Sequence, residues 1–167
     1  MRILTLALPL ALIAGPALAD AHVGPRLTGT ILNPAGENIG SVSLFDTASG
    51  VIRVNVQATG LSAGGHGVHL HETGLCEGDF SSAGGHIAGD ANHGLVEGGP
   101  HPGDLPNGFV EEDGVLSMEA LTDRITMDVL MDGDGSALII HSGPDDYESQ
   151  PAGDAGDRVA CAVLAAP

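Results

Sequence analysis

Lysine is absent from this sequence and cations are scarce: the five basic residues are all arginine, set against 22 acidic ones, for a formal charge of −17. A surface this acidic argues against nucleic acid, phospholipid surfaces and other polyanions as partners, because it repels them at a distance. The acidity reads as a solubility device rather than as an acidic recognition face. Long apolar runs are also missing beyond the N-terminus. Ile3 to Ile13 is the only one, preceded by Met1-Arg2 and followed by Ala17-Leu18-Ala19 before Asp20. That layout is a secretory leader, residues 1–19, which is cleaved. The run is too short to span a bilayer comfortably, so no membrane insertion is expected. No cysteine sits near the cleavage point, which argues against a lipid anchor. Residues 20–167 are left as one compact exported domain, one unit more negative once Arg2 is gone.

Helical periodicity and internal repeats are missing too. Apolar and polar residues alternate instead, as in half-buried strands, over Leu27–Ile31, Ser41–Phe45 and Val51–Val56. Val68–His71, Val115–Met118, Ile125–Val129, Ala137–Ile140 and Val159–Leu164 continue the series. Clusters such as Asn33-Pro34-Ala35-Gly36 and Asp132-Gly133-Asp134-Gly135 separate them. Short strands punctuated in this way predict an all-β sandwich or barrel. Two stretches interrupt the rhythm, 72–108 and 142–157. Loops of that length in a compact domain have a function or lack order, and the first holds four of the metal-ligand candidates identified below.

Only two cysteines remain in the exported product, Cys76 and Cys161. In an oxidising compartment an even count favours one disulfide; two buried thiols are the alternative. Closing so long a loop would stabilise the fold by about 4–5 kcal/mol in the chain-entropy model.

Eight histidines are present, and six of them fall into one constellation with an aspartate. It runs His69-x-His71, His86 in SAGGH, His93 in NHG, His101 and Asp104 in HPGD, and His141 after ALII. Imidazole and carboxylate are what zinc and copper bind. On a strand, positions i and i+2 point to the same face, so His69 and His71 project together while Val68 and Leu70 face the core. An H-x-H pair alone is weak, but four further histidines in metal-binding order argue for two adjacent metals and thus for redox chemistry. His66 and His22 fall outside the set. His66 reads as a hydrogen-bonded structural residue and His22 as a solvated one.

The motifs GHGVHLHETGLC, SAGGH, NHG, HPGDLPN, LIIHSGPDD and AGDRVACAVL, in this order, resemble the copper–zinc superoxide dismutases of bacterial exported type. The likeness is weak before residue 60 and strong after it. It implies an eight-stranded antiparallel Greek-key β-barrel with two long functional loops over the metals. It implies copper on His69, His71, His86 and His141, and zinc on His86, His93, His101 and Asp104, with His86 bridging as an imidazolate. Asp145 matches a carboxylate that bonds one copper and one zinc histidine, here His69 and His93, and so fixes their rings. Cys76 and Cys161 match the family disulfide. Arg158 matches the arginine beside copper, whose guanidinium draws and orients a small anion. The implied activity is dismutation of superoxide to oxygen and hydrogen peroxide, protecting the cell envelope from the periplasm, by a homodimer or a monomer.

Two departures from eukaryotic members stand out. Residues 142–157 carry no lysine or arginine but hold Asp145, Asp146, Glu148, Asp154 and Asp157. Ala152 stands where those members have a channel threonine, which implies a wider mouth. Asp157 adjoins Arg158, but strand neighbours point to opposite faces, which argues against a pairing. An exported copper- and zinc-binding storage or delivery protein is the alternative function. Delivery would require neither Arg158, nor a bridging His86, nor Asp145, so their joint presence favours the enzyme.

Overall fold

The computed structural model describes residues 26–167; the expected leader, 1–19, and His22 lie outside the described residues. Nine strands form one antiparallel sheet: β1 Arg26–Leu32, β2 Asn38–Asp46, β3 Ile52–Ala58, β4 Gly64–His66, β5 Val68–His71, β6 Gly108–Val110, β7 Leu116–Thr122, β8 Ser136–His141 and β9 Arg158–Leu164. Among the described residues an α-helical turn, α1, spans Met127–Leu130, and a 3-10 turn spans Ser81–Ala83. The order across the sheet is β4-β6-β7-β3-β2-β1-β9-β8-β5.

The two edge strands, β4 and β5, are separated along the chain by Gly67 alone. The covalent chain therefore closes the sheet into a nearly complete barrel, which leaves little open edge. It also explains nine strands where eight were expected, because β4 and β5 are one strand bent at Gly67 to pair with β6 on one side and β8 on the other. Gly67 donates to Gly143 O at 2.8 Å, and its carbonyl accepts from His141 N at 2.9 Å. A β-carbon there would stand 2.9 Å from Ala155 Cβ and 3.1 Å from His69 Cε1. Only glycine lets the chain pass so near the ring of His69.

The alternation read from the sequence places the core. Leu27, Ile31, Val42, Leu44, Ile52, Val54, Val56, Val68, Leu70, Leu116, Leu138 and Ile140 are all buried inside the barrel. A second, outer cluster of Phe80, Ala83, Ala137, Ile139 and Cys161 lies beneath the β5–β6 loop. That cluster is why β8 is buried on both faces.

Two expectations are corrected. Ile125–Val129 is not a strand. Thr126 caps a helical turn, its hydroxyl accepting from Val129 N, and the buried residues are Met127 and Leu130. Their i, i+3 spacing is helical, whereas Val129, needed for the strand alternation, is exposed. Strands β4 (GGH) and β6 (GFV) did not register as strands, being three residues each and glycine-bearing. Such segments are held by their partners rather than by their own pattern.

Candidate metal centre

β5 carries His69 and His71 outward, opposite Ile139 and Ala137 of β8. His141 ends β8 after a register shift at Ile140, which pairs it with Arg158 at the start of β9. The β5–β6 loop returns to the same place. Isolated bridges set His86 against His71 and Asp104 against His69. Ile87 N donates to Leu70 O at 2.9 Å, and Leu70 N to Gly103 O at 2.8 Å. Backbone pairing along β5 thus carries loop histidines up to strand histidines.

Two groups result. In His69, His71, His86 and His141, and again in His86, His93, His101 and Asp104, one ligand atom per residue lies within 4.8 Å of all the others. His86 belongs to both. The hydrogen bonding separates the two nitrogens of each ring. His69 Nε2 is tied to Asp145 Oδ2 at 2.8 Å, His71 Nδ1 to Gly84 O at 3.1 Å, His141 Nδ1 to Gly156 O at 3.1 Å and His93 Nε2 to Asp145 Oδ1 at 3.0 Å. The opposite nitrogens, His69 Nδ1, His71 Nε2, His141 Nε2 and His93 Nδ1, together with His86 Nε2, are buried without a hydrogen-bond partner. Buried polar atoms are rarely left unpaired. Five orphans converging on two points are accounted for by cations, and nitrogen and carboxylate donors suit copper and zinc.

In the second group the contacts are His86 Nδ1 to Asp104 Oδ1 at 2.9 Å, His101 Nδ1 to Asp104 Oδ1 at 3.3 Å and His86 Nδ1 to His101 Nδ1 at 3.4 Å. His93 Nδ1 lies 3.1 Å from Asp104 Oδ2, without the alignment of a hydrogen bond. A tetrahedral zinc with bonds near 2.0–2.1 Å needs ligand–ligand edges of roughly 3.3 Å. The donor set fits.

Electrostatics keep the candidate ligands ready to bind. Burial lowers His71 to about 2 and His141 to about 4, helped by repulsion from His86 and His69 respectively. Burial also lowers His69 and His101. All four present neutral imidazoles near pH 7, the form that binds metal. Burial works against the charge on Asp145, but hydrogen bonds from His69, Tyr147 N and His93 overcome it and hold the carboxyl at about 2. Asp104 is likewise buried, yet bonds from His86 and Gly94 N keep it well below the usual carboxylate range.

Most residues singled out in the sequence meet here. Cys76 and Cys161 are disulfide-bonded, closing a separation of 85 residues and tying the β5–β6 loop to β9. Arg158 is half-buried and donates from Nη1 to Phe80 O at 2.6 Å and from Nη2 to Gly84 O at 2.7 Å. Among the described residues no carboxylate pairs with it; Asp79 acts on it from further off. Asp157 engages Ser142 through its backbone instead. His66 is buried as a structural residue, Nδ1 against His141 O at 2.5 Å and Nε2 against Ser62 O at 2.8 Å. Ala152 is half-buried and lines an open hollow with Pro151, Asp154 and Gly156.

Two residues were missed. Asn107 accepts from Asp145 N and donates to Asp145 O, both at 2.8 Å. Gln150 accepts from His93 N at 2.9 Å and donates to His93 O at 2.8 Å. Asn107 closes the motif HPGDLPN and could have been flagged from it; nothing in the local sequence marks Gln150.

Comparison with known proteins agrees with this geometry. The family model described as copper/zinc superoxide dismutase (SODC) matches residues 38–164. The chain is 41% identical over 143 residues to a "Superoxide dismutase [Cu-Zn] 1" of Aquifex aeolicus, covering 80% of this chain and 84% of that one. It is 37% identical to a "Superoxide dismutase [Cu-Zn]" of Caulobacter vibrioides, covering 77% and 79%. Among solved structures, a SOD-like protein from Bacillus subtilis superimposes with a TM-score of 0.75 at 30% identity, covering 83% of this chain and 97% of that one. The Cu/Zn superoxide dismutase of Brucella abortus does so at 0.69 and 28%, covering 84% and 99%.

Proposed function

The chain belongs to the copper/zinc superoxide dismutase family, and we propose that His69, His71, His86 and His141 hold its copper, and His86, His93, His101 and Asp104 its zinc. The enzyme converts superoxide to oxygen and hydrogen peroxide. Copper, when bound, supplies the one-electron redox chemistry that oxidises one superoxide and reduces the next, while zinc is redox-silent.

The observation that carries the assignment is His86, whose two ring nitrogens face different ligand groups. Nδ1 sits among the carboxylate and imidazoles of the second group, and Nε2 is buried and unpartnered in the first. Nε2 is therefore the atom placed to take up and return a proton while Nδ1 stays engaged. Asp145 holds His69 and His93 in single tautomers, linking the two halves through one carboxylate. With two N–H groups committed to carbonyls, Arg158 keeps the remaining N–H donors of its five, and its full charge, for an incoming anion.

We assign the enzyme to the periplasm, where it protects the envelope as a homodimer or a monomer. A cleaved leader of residues 1–19 would leave 20–167 as a single domain, and the Cys76–Cys161 bond suits an oxidising compartment. Among the described residues no helix is long and apolar enough to cross a membrane.

Metal analysis of reconstituted variants tests the ligand assignment. His93→Ala should lose zinc while keeping copper, and His71→Ala the reverse. Loss of the other metal in either case, or a fully loaded wild type without dismutase activity, would overturn it. Cell fractionation tests the location, with the mature chain expected to begin at Asp20 and to leave the cytoplasm.

A further inference from the structure

His93 lies in the β5–β6 loop outside regular structure, so neither a helix nor a strand fixes its backbone. A side chain does so instead. Gln150, in the β8–β9 loop, accepts from His93 N with Oε1 at 2.9 Å and donates to His93 O from Nε2 at 2.8 Å. Both ends of one amide are spent on one residue's peptide groups, as a neighbouring strand would spend its own N–H and C=O. The same Nε2 also donates to Glu148 O at 3.1 Å, which fixes the amide within its loop.

The ring of His93 is held from the same loop, by Asp145 Oδ1 at 3.0 Å. The clamp is returned in kind, since Asn107 of the first loop exchanges two bonds with the backbone of Asp145. Each loop thus secures the functional residue of the other. Gln150 has no hydrogen bond to His69, His71, His86 or His141. Its influence is directed at one ligand of one group.

We propose that Gln150 is a positioning residue for the zinc half of the centre: by pinning the peptide of His93, it sets how slowly zinc leaves without affecting copper or the reaction with superoxide. The proposal rests on the reading of His93 as a zinc ligand. Partners that orient metal ligands are worth roughly 10–100-fold in metal affinity. Gln150 is exposed, so water competes for its bonds and the lower end of that range applies.

The test uses the protein loaded with both metals. Zinc and copper release are each followed with a chromogenic chelator, superoxide turnover is read before zinc is lost, and the copper spectrum is recorded. Gln150→Leu keeps the size and removes both bonds. Gln150→Glu keeps an acceptor for His93 N and removes the donor. Tyr147→Phe is the control: it removes the hydroxyl that accepts from Asn107 N at 2.7 Å, loosening the same loop pair without removing a bond to the His93 peptide. Zinc release should quicken about tenfold in Gln150→Leu, by less in Gln150→Glu, and not in Tyr147→Phe. Copper release, the copper spectrum and initial turnover should match wild type. The proposal is overturned by unchanged zinc release in Gln150→Leu, by equal acceleration in Tyr147→Phe, or by copper leaving in step with zinc. A His93→Ala protein that binds zinc as wild type does would instead overturn the site assignment, whatever the Gln150 variants do.

Discussion

Arg158 and His71 share one acceptor. The carbonyl oxygen of Gly84 takes a hydrogen bond from His71 Nδ1 at 3.1 Å and another from Arg158 Nη2 at 2.7 Å. A single peptide of the β5–β6 loop thus aligns His71, a proposed copper ligand, with Arg158, the cation proposed to meet the substrate. The disulfide from Cys76 to Cys161 ties that loop to β9, which Arg158 begins. The guanidinium is therefore positioned by carbonyls and a covalent link, without help from a metal.

It follows that metal binding and anion attraction are separable. Arg158→Ala should keep both metals and lose roughly tenfold or more in kcat/KM, the scale of local electrostatic guidance. Arg158→Lys should recover only part of that. An ammonium lacks the planar fork that reaches Phe80 O and Gly84 O together while still facing an anion. Metal content and turnover measured on the same samples decide the matter. A loss of copper in proportion to the loss of rate would contradict it.

The long-range field acts the other way. Residues 142–157 hold five carboxylates and no lysine or arginine, in a chain of formal charge −17. Superoxide approaches against that field and is attracted only near Arg158 and the metals. Added salt screens the distant repulsion, acting over about 10 Å at 0.1 M, more than it screens contacts inside the site. kcat/KM should therefore hold level or rise between low and physiological ionic strength. A steep fall over that range, the signature of attractive steering, would refute this reading.

How far the sequence went follows from where each signal resides. The seven proposed ligands, which the fold gathers into two groups, were legible because metal chemistry demands particular side chains, and the strands beside them alternate cleanly. Asp145 and Arg158 were legible through the motifs LIIHSGPDD and AGDRVACAVL. Met127–Leu130 was misread because Ile125, Met127 and Val129 alternate like a strand, and four residues offer too short a window to separate period 2 from period 3.6. Gln150 was invisible for another reason. Its role depends on reaching His93, 57 positions away, and no local pattern encodes that meeting.

The buried histidines set the acid response of the metal-free protein. His71, at about 2, and His141, at about 4, are neutral when folded and return toward 6.5 on unfolding. Below 6.5 the unfolded chain binds the extra protons, so stability falls with pH, by up to about 1.4 kcal/mol per unit for each histidine. The His141 contribution levels off near pH 4, and that of His71 continues toward 2. Asp145 adds to the loss lower down: its stabilisation is complete above 3.8 and disappears as pH falls through about 2. Melting temperatures of the metal-free protein should drop steadily from pH 6.5 to 4. The loaded protein should hold level until acid displaces the metals. An unchanging melting temperature across that window in the metal-free form would refute the buried-neutral assignment.

Gly153 tests whether the link between the two halves depends on the carboxylate of Asp145. Its φ is 67°, and a β-carbon there would stand 1.9 Å from Asp145 Oδ1 and 2.7 Å from His93 Nε2. The carboxylate cannot step aside freely, being held by His69, by His93 and by Tyr147 N at 2.6 Å. Gly153→Ala must therefore break some of those bonds as well as strain its own backbone. Gly36→Ala separates the two effects. Gly36 has a φ of 78°, yet among the described residues nothing lies within 4 Å of the added carbon. The control should cost about 1 kcal/mol of backbone strain and leave metal content alone. Gly153→Ala should cost about 2 kcal/mol or more, and zinc should leave faster, because His93 loses the partner that fixes its ring. Equal stability losses and equal zinc retention in the two variants would mean that the carboxylate is dispensable.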